Sequence, residues 1–409
     1  MKNRIGISGI GVVSAIGDGF HAFADAAIKS ANGISEISSF DASKYENKLA
    51  GEVKGFDPSQ YLPKKILRKM DRGTSFICSA AAMAIEDAKL KIDDSNKHRV
   101  GVIIGTTFGS LKSISDFDTQ SLMEESPLWV NPADFPKTTI NAAASHVSIL
   151  TGAMGHNITI NGGFVTMLEA VNHSVELLES GKLDVALVGC VEDLNEQAYL
   201  HYSSQGILSG SGGGDEKCAP FDQSANGCVI AEGAVALVLQ KIEEPQRRDR
   251  PIYGEIKYVH QGYTGCGNQS YFANPAADRY ASIIKTLIQS ANLSLDEIDV
   301  ISASANGWKA YDMIEALALY ELFGENSPAV ISAKSSIGEA VSVGGAFSIL
   351  LAIVSIMKQQ APYIVNLKNP IAPLNYVVEK AMERKMKNAL IPSFDPCGNC
   401  MGMILSASE

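Results

Sequence analysis

The stretch Gly155-His-Asn-Ile-Thr-Ile-Asn-Gly-Gly-Phe164, with the residues up to Cys190 that follow it, decides the fold class. Residues 158–160 form a short β-branched run, which reads as a buried strand. From 165 to 180 the apolar residues recur at spacings of three and four, the pattern of a helix with one face in a core. Residues 185–190 return to an apolar run of strand type. Strand, helix and strand in so short a span are the signature of an α/β chain.

Working outward, the same alternation fills the first part of the sequence: strand-like 5–13, helix-like 20–30 and 76–90, strand-like 100–106 and helix-like 142–151. A second series starts near Ile252. Strand-like 252–262, helix-like 278–291, strand-like 300–304, helix-like 311–323, strand-like 330–332, helix-like 341–357 and strand-like 389–393 and 403–406 repeat the order. Between the series, residues 241–251 are rich in Glu, Arg and Pro, as a surface connection is. The chain therefore divides into two β-α-β-α-β halves, 1–250 and 251–409, whose sheets are covered by helices and whose ligands are expected near strand C-termini.

Composition bounds what such a chain can do. Of 409 residues 46% are hydrophobic and 19% charged, which is ordinary for a globular protein with a large core. Net charge is -11, and Gln246-Arg-Arg-Asp-Arg250 is the densest basic turn, so nucleic acid is not an expected partner. No signal-peptide pattern precedes the strand at Ile5, and a cytoplasmic location is expected. Residues 341–357 are apolar but interrupted by Ser342, Gly344, Gly345, Ser348 and Ser355, which reads as a core helix and not as a membrane span. Seven cysteines, an odd number, fit reduced thiols. Cys397-Gly-Asn-Cys400 lacks the two further ligands of a metal site and the helix start of a redox motif. The loops 107–136, 203–227 and 263–276 lie where function is expected. Within them, Ser209-Gly-Ser-Gly-Gly-Gly214 lacks the Lys-Ser/Thr ending of a phosphate-binding loop and reads as a flexible turn.

Four further stretches carry a resemblance: Ile5-Gly-Ile-Ser-Gly-Ile-Gly-Val-Val-Ser-Ala-Ile-Gly17; Cys218-Ala-Pro-Phe-Asp222 with Gly227 and Ala231-Glu-Gly233; Ser332-Ala-Lys-Ser-Ser-Ile-Gly338 with Gly344-Gly-Ala346; and Pro362-Tyr-Ile-Val-Asn-Leu-Lys-Asn-Pro370. Over essentially its whole length the chain resembles the β-ketoacyl synthases of the thiolase-like superfamily. That likeness implies a layered α-β-α-β-α body, acyl thioester chemistry without cofactor or metal, and a Cys-His-His catalytic set. All three catalytic positions are altered here. The cysteine position falls on Phe164, the first histidine on Asn306 within Ser304-Ala-Asn-Gly-Trp308, and the second on Glu339, while the lysine of the last motif survives as Lys334.

A phenyl ring cannot attack a thioester, which needs a polarisable nucleophile held near a helix N-terminus. The histidines are His21, His98, His146, His156, His173, His201 and His260, so the chain beyond residue 260 supplies no imidazole in any register. Trp308 and Ala310 stand where the resemblance implies hydroxyls that hold a pantetheine arm, and Ala273-Asn-Pro275 where a Thr-Ser-Pro-like turn is implied. Trp308 either closes the tunnel or fills space left by a lost ligand, and the two are compatible. Glu339 lies five residues beyond Lys334, which predicts a buried ion pair, because a lone carboxylate there is costly. Cys190 ends an apolar strand and reads as an inert buried thiol.

Within this family the pattern is similar to the chain length factor of type II polyketide synthases, a subunit without catalysis that pairs with an active ketosynthase. The resemblance implies a heterodimer with a ketosynthase, with an acyl carrier protein docking mainly on that partner, since carrier proteins are acidic and so is this chain. It also places a chain-length gate on the helix after strand 100–106, where Leu111, Ile114 and Phe117 recur at a spacing of three; ordinary interface packing is the other reading of that stripe. Two rival functions stand beside it. One is an acyltransferase or hydrolase that uses Cys190, Cys266 or a serine. The other is an acyl-binding scaffold without a ketosynthase partner.

Overall fold

The computed structural model describes residues 4–242, 251–265 and 275–408. The first half contributes strands β1 (Ile5–Ser14), β2 (Val100–Gly105), β3 (Asn157–Ile160), β4 (Val185–Glu192) and β5 (Gly233–Lys241). The second contributes β6 (Gly254–Tyr263), β7 (Val300–Ser302), β8 (Ala329–Ile331), β9 (Asn388–Phe394) and β10 (Asn399–Ser406). Among the described residues these strands run in the order β8-β7-β9-β10-β6-β1-β5-β4-β2-β3, with Gly17–Asp18 paired to β1 as an eleventh strand. Read from its own outer edge, each half has its strands in the same sequence order, third, second, fourth, fifth, first. The repeat seen in the sequence is thus a repeat in space. The halves join where Ile5 to Ile7 of β1 meet Ile256 to Gly254 of β6, antiparallel.

Ten helices matter for the site: α1 (Phe20–Ile28), α2 (Arg72–Asp87), α3 (Leu111–Met123), α4 (Ala142–Thr151), α5 (Thr166–Glu179), α6 (Glu196–Ser204), α7 (Pro275–Ser290), α8 (Lys309–Phe323), α9 (Lys334–Ile337) and α10 (Gly344–Lys358). They sort into layers by what their apolar faces bury. Phe76, Ile77, Ala80 and Ala84 of α2 pack with Val147 of α4 against Val100, Val102 and Ile104 of β2, on the outer face of the first half. Helices α5 and α10 fill the middle, where Leu168, Val171, Phe347 and Leu350 share one core with Ile7, Val188 and Ile391. Helices α7 and α8 cover the outer face of the second half through Tyr280, Ile284, Tyr311 and Leu319. Helix, sheet, helix, sheet and helix make five layers, as the family resemblance implied.

Two sequence features explain how tightly these layers close. A Cβ on Gly11 would stand 1.9 Å from the Ala80 carbonyl oxygen, so glycine lets β1 touch the backbone of α2. Helix α10 is buried all round from Gly344 to Ile356, which is why its sequence is apolar on every side. Among the described residues the stretch Val341–Lys358 is the one helix long and apolar enough to cross a bilayer, and here it is the central core helix. Ser342 lies in a 3₁₀ turn, Val341–Val343, that leads into the helix, whose first two residues are Gly344 and Gly345.

Segment 107–136 contains more regular structure than a loop. It holds α3 and the 3₁₀ turns Pro127–Trp129 and Phe135–Thr138. Neighbouring strand β3 has only β2 beside it among the described residues and forms the outer edge of the first half.

Candidate functional site

Segments from both halves converge at the N-terminal ends of the middle-layer helices α5 and α10. Phe164 lies between β3 and α5, just after Gly163, whose φ of +61° bends the chain into the helix. Asn306 sits in the turn between β7 and α8, Lys334 opens α9, and Glu339 follows α9. All four are buried.

The expected ion pair exists: Lys334 Nζ donates to Glu339 Oε2 at 2.7 Å and to the Ser304 carbonyl oxygen at 2.8 Å. Asn306 Nδ2 donates to the same Glu339 oxygen at 2.8 Å, and the Val341 amide donates to Glu339 Oε1 at 2.9 Å. Both oxygens of Glu339 thus accept hydrogen bonds from the protein itself. The Lys334 ammonium lies 5.5 Å from the centroid of the Phe164 ring and 5.9 Å from that of Tyr311, so two aromatic faces share its charge.

Aromatic rings fill the space around this pair. Tyr311 meets Phe164 edge-on at 5.8 Å and stacks on Phe394 at 4.0 Å, while Trp308 lies parallel to Tyr311 at 6.3 Å. The Tyr311 hydroxyl donates to the Phe394 carbonyl oxygen at 2.5 Å, which ties α8 to β9. Trp308 is half-buried at the outer end of this stack, with Ala310 beside it. The Ala273-Asn-Pro275 turn and Cys266 are outside the residues whose side chains are described, as is the Gln246-Arg250 turn.

Asp312 and Glu315 project from α8 beneath the site. Asp312 accepts the amides of Phe221, Asn306 and Gly307, and burial nonetheless pushes its carboxyl up to about 6. Glu315 accepts the Ser304 amide at 2.9 Å, and burial pushes it up to about 8. Its second oxygen has no partner, which fits a carboxyl that holds its proton at neutral pH.

Of the two cysteines expected as alternative nucleophiles, Cys190 lies among the described residues, and it is not poised for attack. Cys190 is fully buried, and burial raises its thiol well above the usual range. Cys218 lies beneath the site, equally buried, with its sulfur 3.0 Å from the Lys334 carbonyl oxygen, and its thiol is likewise raised. Cys397 lies in the β9–β10 turn and Cys400 on β10, and no group of three metal-binding side chains occurs among the described residues.

The proposed gate stripe is only partly gathered by the structure. Helix α3 has no buried residue; Leu111 and Phe117 are half-buried and Ile114 is exposed. Phe117 packs its ring 6.1 Å from Phe135. A recess of about 730 Å³ lies against α3, but it is lined by Ser110, Lys112, Ser113 and Asp116, together with Lys137 and Asp193, and not by the three apolar residues. Sequence reading missed Phe108, wedged edge-on against Tyr202 at 5.8 Å; its position one turn before α3 was the available signal. It also missed Glu192, a buried carboxylate at the end of β4.

Residues 2–244 match the N-terminal domain of β-ketoacyl synthases and residues 253–368 the C-terminal domain. This chain belongs to the β-ketoacyl synthase family. Among curated relatives, it is similar to 3-oxoacyl-[acyl-carrier-protein] synthase 2 of Coxiella burnetii, 30% identical over 99% of each chain. The enzyme of the same name from Vibrio cholerae is 28% identical over 95% of this chain and 94% of its own. In structure it is similar to the ishigamide ketosynthase/chain length factor, with a TM-score of 0.91, 25% identity and full coverage of both chains. A β-ketoacyl synthase from Burkholderia phymatum shares the fold with a TM-score of 0.89 at 24% identity, also over both full chains. Family membership fixes the fold and the ancestry of the site, while Phe164, Asn306 and Glu339 set what this member's site contains.

Proposed function

We propose that this chain is the non-catalytic member of a ketosynthase pair, of the chain length factor type, which seats against an active β-ketoacyl synthase and bounds the chamber of its growing acyl chain. The observation that carries this reading is the closed arrangement at Phe164: a ring in place of a thiol, against a lysine engaged by Glu339 and by the Ser304 carbonyl. Thioester condensation needs a nucleophile and groups that exchange protons near neutrality. Phe164 has no lone pair to offer, and the Asn306 amide does not titrate. Trp308 stacks at the mouth of the same stack, where it blocks a pantetheine arm. The likeness to a structure that is itself a ketosynthase/chain length factor supports the assignment, whereas the curated synthases share the family scaffold.

A partner has an unfinished surface to occupy. Edge strand β3 leaves one side open among the described residues. In the stretch from α3 to the residues before β3, Leu122, Met123, Leu128, Trp129, Phe135, Ile149 and Met154 are exposed large apolar side chains, the kind of surface that a partner covers. A ketosynthase seated there would cover both the edge and the apolar side chains, as obligate partners do. In this pair α3 borders the chamber, Phe117 helps to limit chain length, and the carrier protein docks mainly on the catalytic partner, since this chain is itself acidic.

The test is co-expression with a ketosynthase that retains its Cys-His-His set, followed by reconstitution with a carrier protein and malonyl units. The pair is expected to co-purify and to elongate, and this chain alone to do neither. Elongation by the isolated chain, or an acyl adduct on it in an intact mass spectrum after incubation with acyl thioesters, overturns the proposal.

A further inference from the structure

Glu192 is a carboxylate at 3% exposure, with no ion-pair partner among the described residues. Burying a charge-bearing group in this way is costly unless its hydrogen bonds do something for the fold. Its bonds reach two segments that lie far apart in the chain. On one side it accepts the amides of Thr107 and, at 3.3 Å, Phe108, the residues that lead into α3. On the other it accepts the Ser342 hydroxyl at 2.7 Å.

Ser342 belongs to the turn that follows Glu339. A continuous path therefore runs from the filled site to α3: Lys334 to Glu339 at 2.7 Å, Glu339 to the Val341 amide at 2.9 Å, then Ser342 to Glu192 and on to Thr107. A second strut joins the same points from the other side, because Asn161, three residues before Phe164, donates to the Thr107 carbonyl oxygen at 3.0 Å. Both peptide groups of Thr107 are thus held by the framework of the filled site.

Helix α3 depends on this hold. It has no buried residue and its first residue has no side-chain cap. Two of its own polar ties are Ser113 to Asp71 at 3.4 Å and Gln197 to Ser115 at 3.0 Å. A helix without a buried face takes its position from its ends and its neighbours.

We propose that Glu192, with Ser342 and Asn161, is a length-specificity device: a positioning group through which the filled catalytic framework fixes α3, and so the depth of the chamber in the assembled pair. The inference rests on the pairing reading given above. It explains why the scaffold around Phe164 persists without chemistry, since that scaffold is the bracket on which the chamber wall hangs.

The experiment uses the co-expressed full-length pair with carrier protein and malonyl units, and reads co-purification, malonyl consumption and the product ladder separately. Glu192→Ala is expected to pair and to consume malonyl units while raising the share of products of altered length by at least about threefold, the scale of coupling carried by such networks. Glu192→Gln, which keeps one acceptor oxygen in place, is expected to restore most of the parent ladder. Should Glu192→Ala fail to accumulate, Ser342→Ala removes the link while leaving the carboxylate and is expected to shift the ladder in the same direction. A pair that forms and elongates normally but shows an unchanged ladder in the Glu192→Ala and Ser342→Ala forms overturns the inference and leaves the pairing reading intact. Failure of the unsubstituted chain to pair removes the reading beneath it, and is seen before any variant is made.

Discussion

The site around Phe164 and the face around Trp129 are opposites. At the first, every charge has a partner from the same chain and aromatic rings occupy the space. At the second, Leu128 and Trp129 are 90% and 61% exposed, and a strand edge stands open. Within one fold, one region is closed by its own side chains, and the other leaves apolar side chains and a strand edge uncovered. On the proposed pairing, the work of this chain lies at its surface.

The contrast can be broken most forcefully from the inside. Glu339→Ala leaves the Lys334 ammonium buried without its counter-charge, and a loss of about 3–5 kcal/mol in urea unfolding is expected. Replacing the pair together, Lys334→Met with Glu339→Leu, should recover much of that loss; an equal loss in both forms would show that packing, and not charge, holds the site. At the face, Trp129→Asp is expected to weaken association with the ketosynthase by roughly 30-fold, the effect of losing one hot-spot side chain of about 2 kcal/mol, as read by surface plasmon resonance. Stability of the lone chain should hardly change. If instead the isolated chain is destabilised and the affinity is kept, the face is a core element and the comparison fails.

Protonation sharpens the same comparison. Glu315 has its folded-state value raised to about 8, above the ordinary carboxylate value of an unfolded chain. Its contribution to stability is therefore complete below the unfolded value and is lost as pH rises through about 8. Glu315→Gln cannot titrate, so its stability should fall less between pH 6 and pH 8 than the parent's, by roughly 1–2 kcal/mol. Parallel pH profiles would mean that Glu315 titrates normally. The smallest effect on the fold is expected from Phe117→Ala, on half-buried α3, which should leave unfolding nearly unchanged while the paired enzyme makes longer products; an unchanged product ladder removes Phe117 from the gate.

Much of the fold was legible because strands and helices write their periods locally. The β-branched run 158–160 and the apolar run 185–190 became β3 and β4, and the largely apolar 341–357 became α10 with its glycines at the start. The Lys334–Glu339 pair was legible for the same reason, since both partners lie on one short turn. What sequence spacing does not encode is contact between distant segments. Tyr311 and Phe394 stack across 83 residues, and nothing in either segment announces the other. Glu192 read as the end of a strand, because the amides and the hydroxyl that hold it come from residues 107, 108 and 342. The three-residue spacing of Leu111, Ile114 and Phe117 was real in sequence, yet with α3 half exposed on several sides the spacing alone did not choose which side faces the recess.

The self-satisfied lysine has a practical corollary. Electrophiles that cap the reactive thiol of condensing enzymes meet an arene and an occupied ammonium at this centre, so in the proposed pair a label at the condensing centre would map to the companion subunit. With the exposed Cys397 replaced by serine, titrating a purified complex with such a label would count those centres, one for each pair.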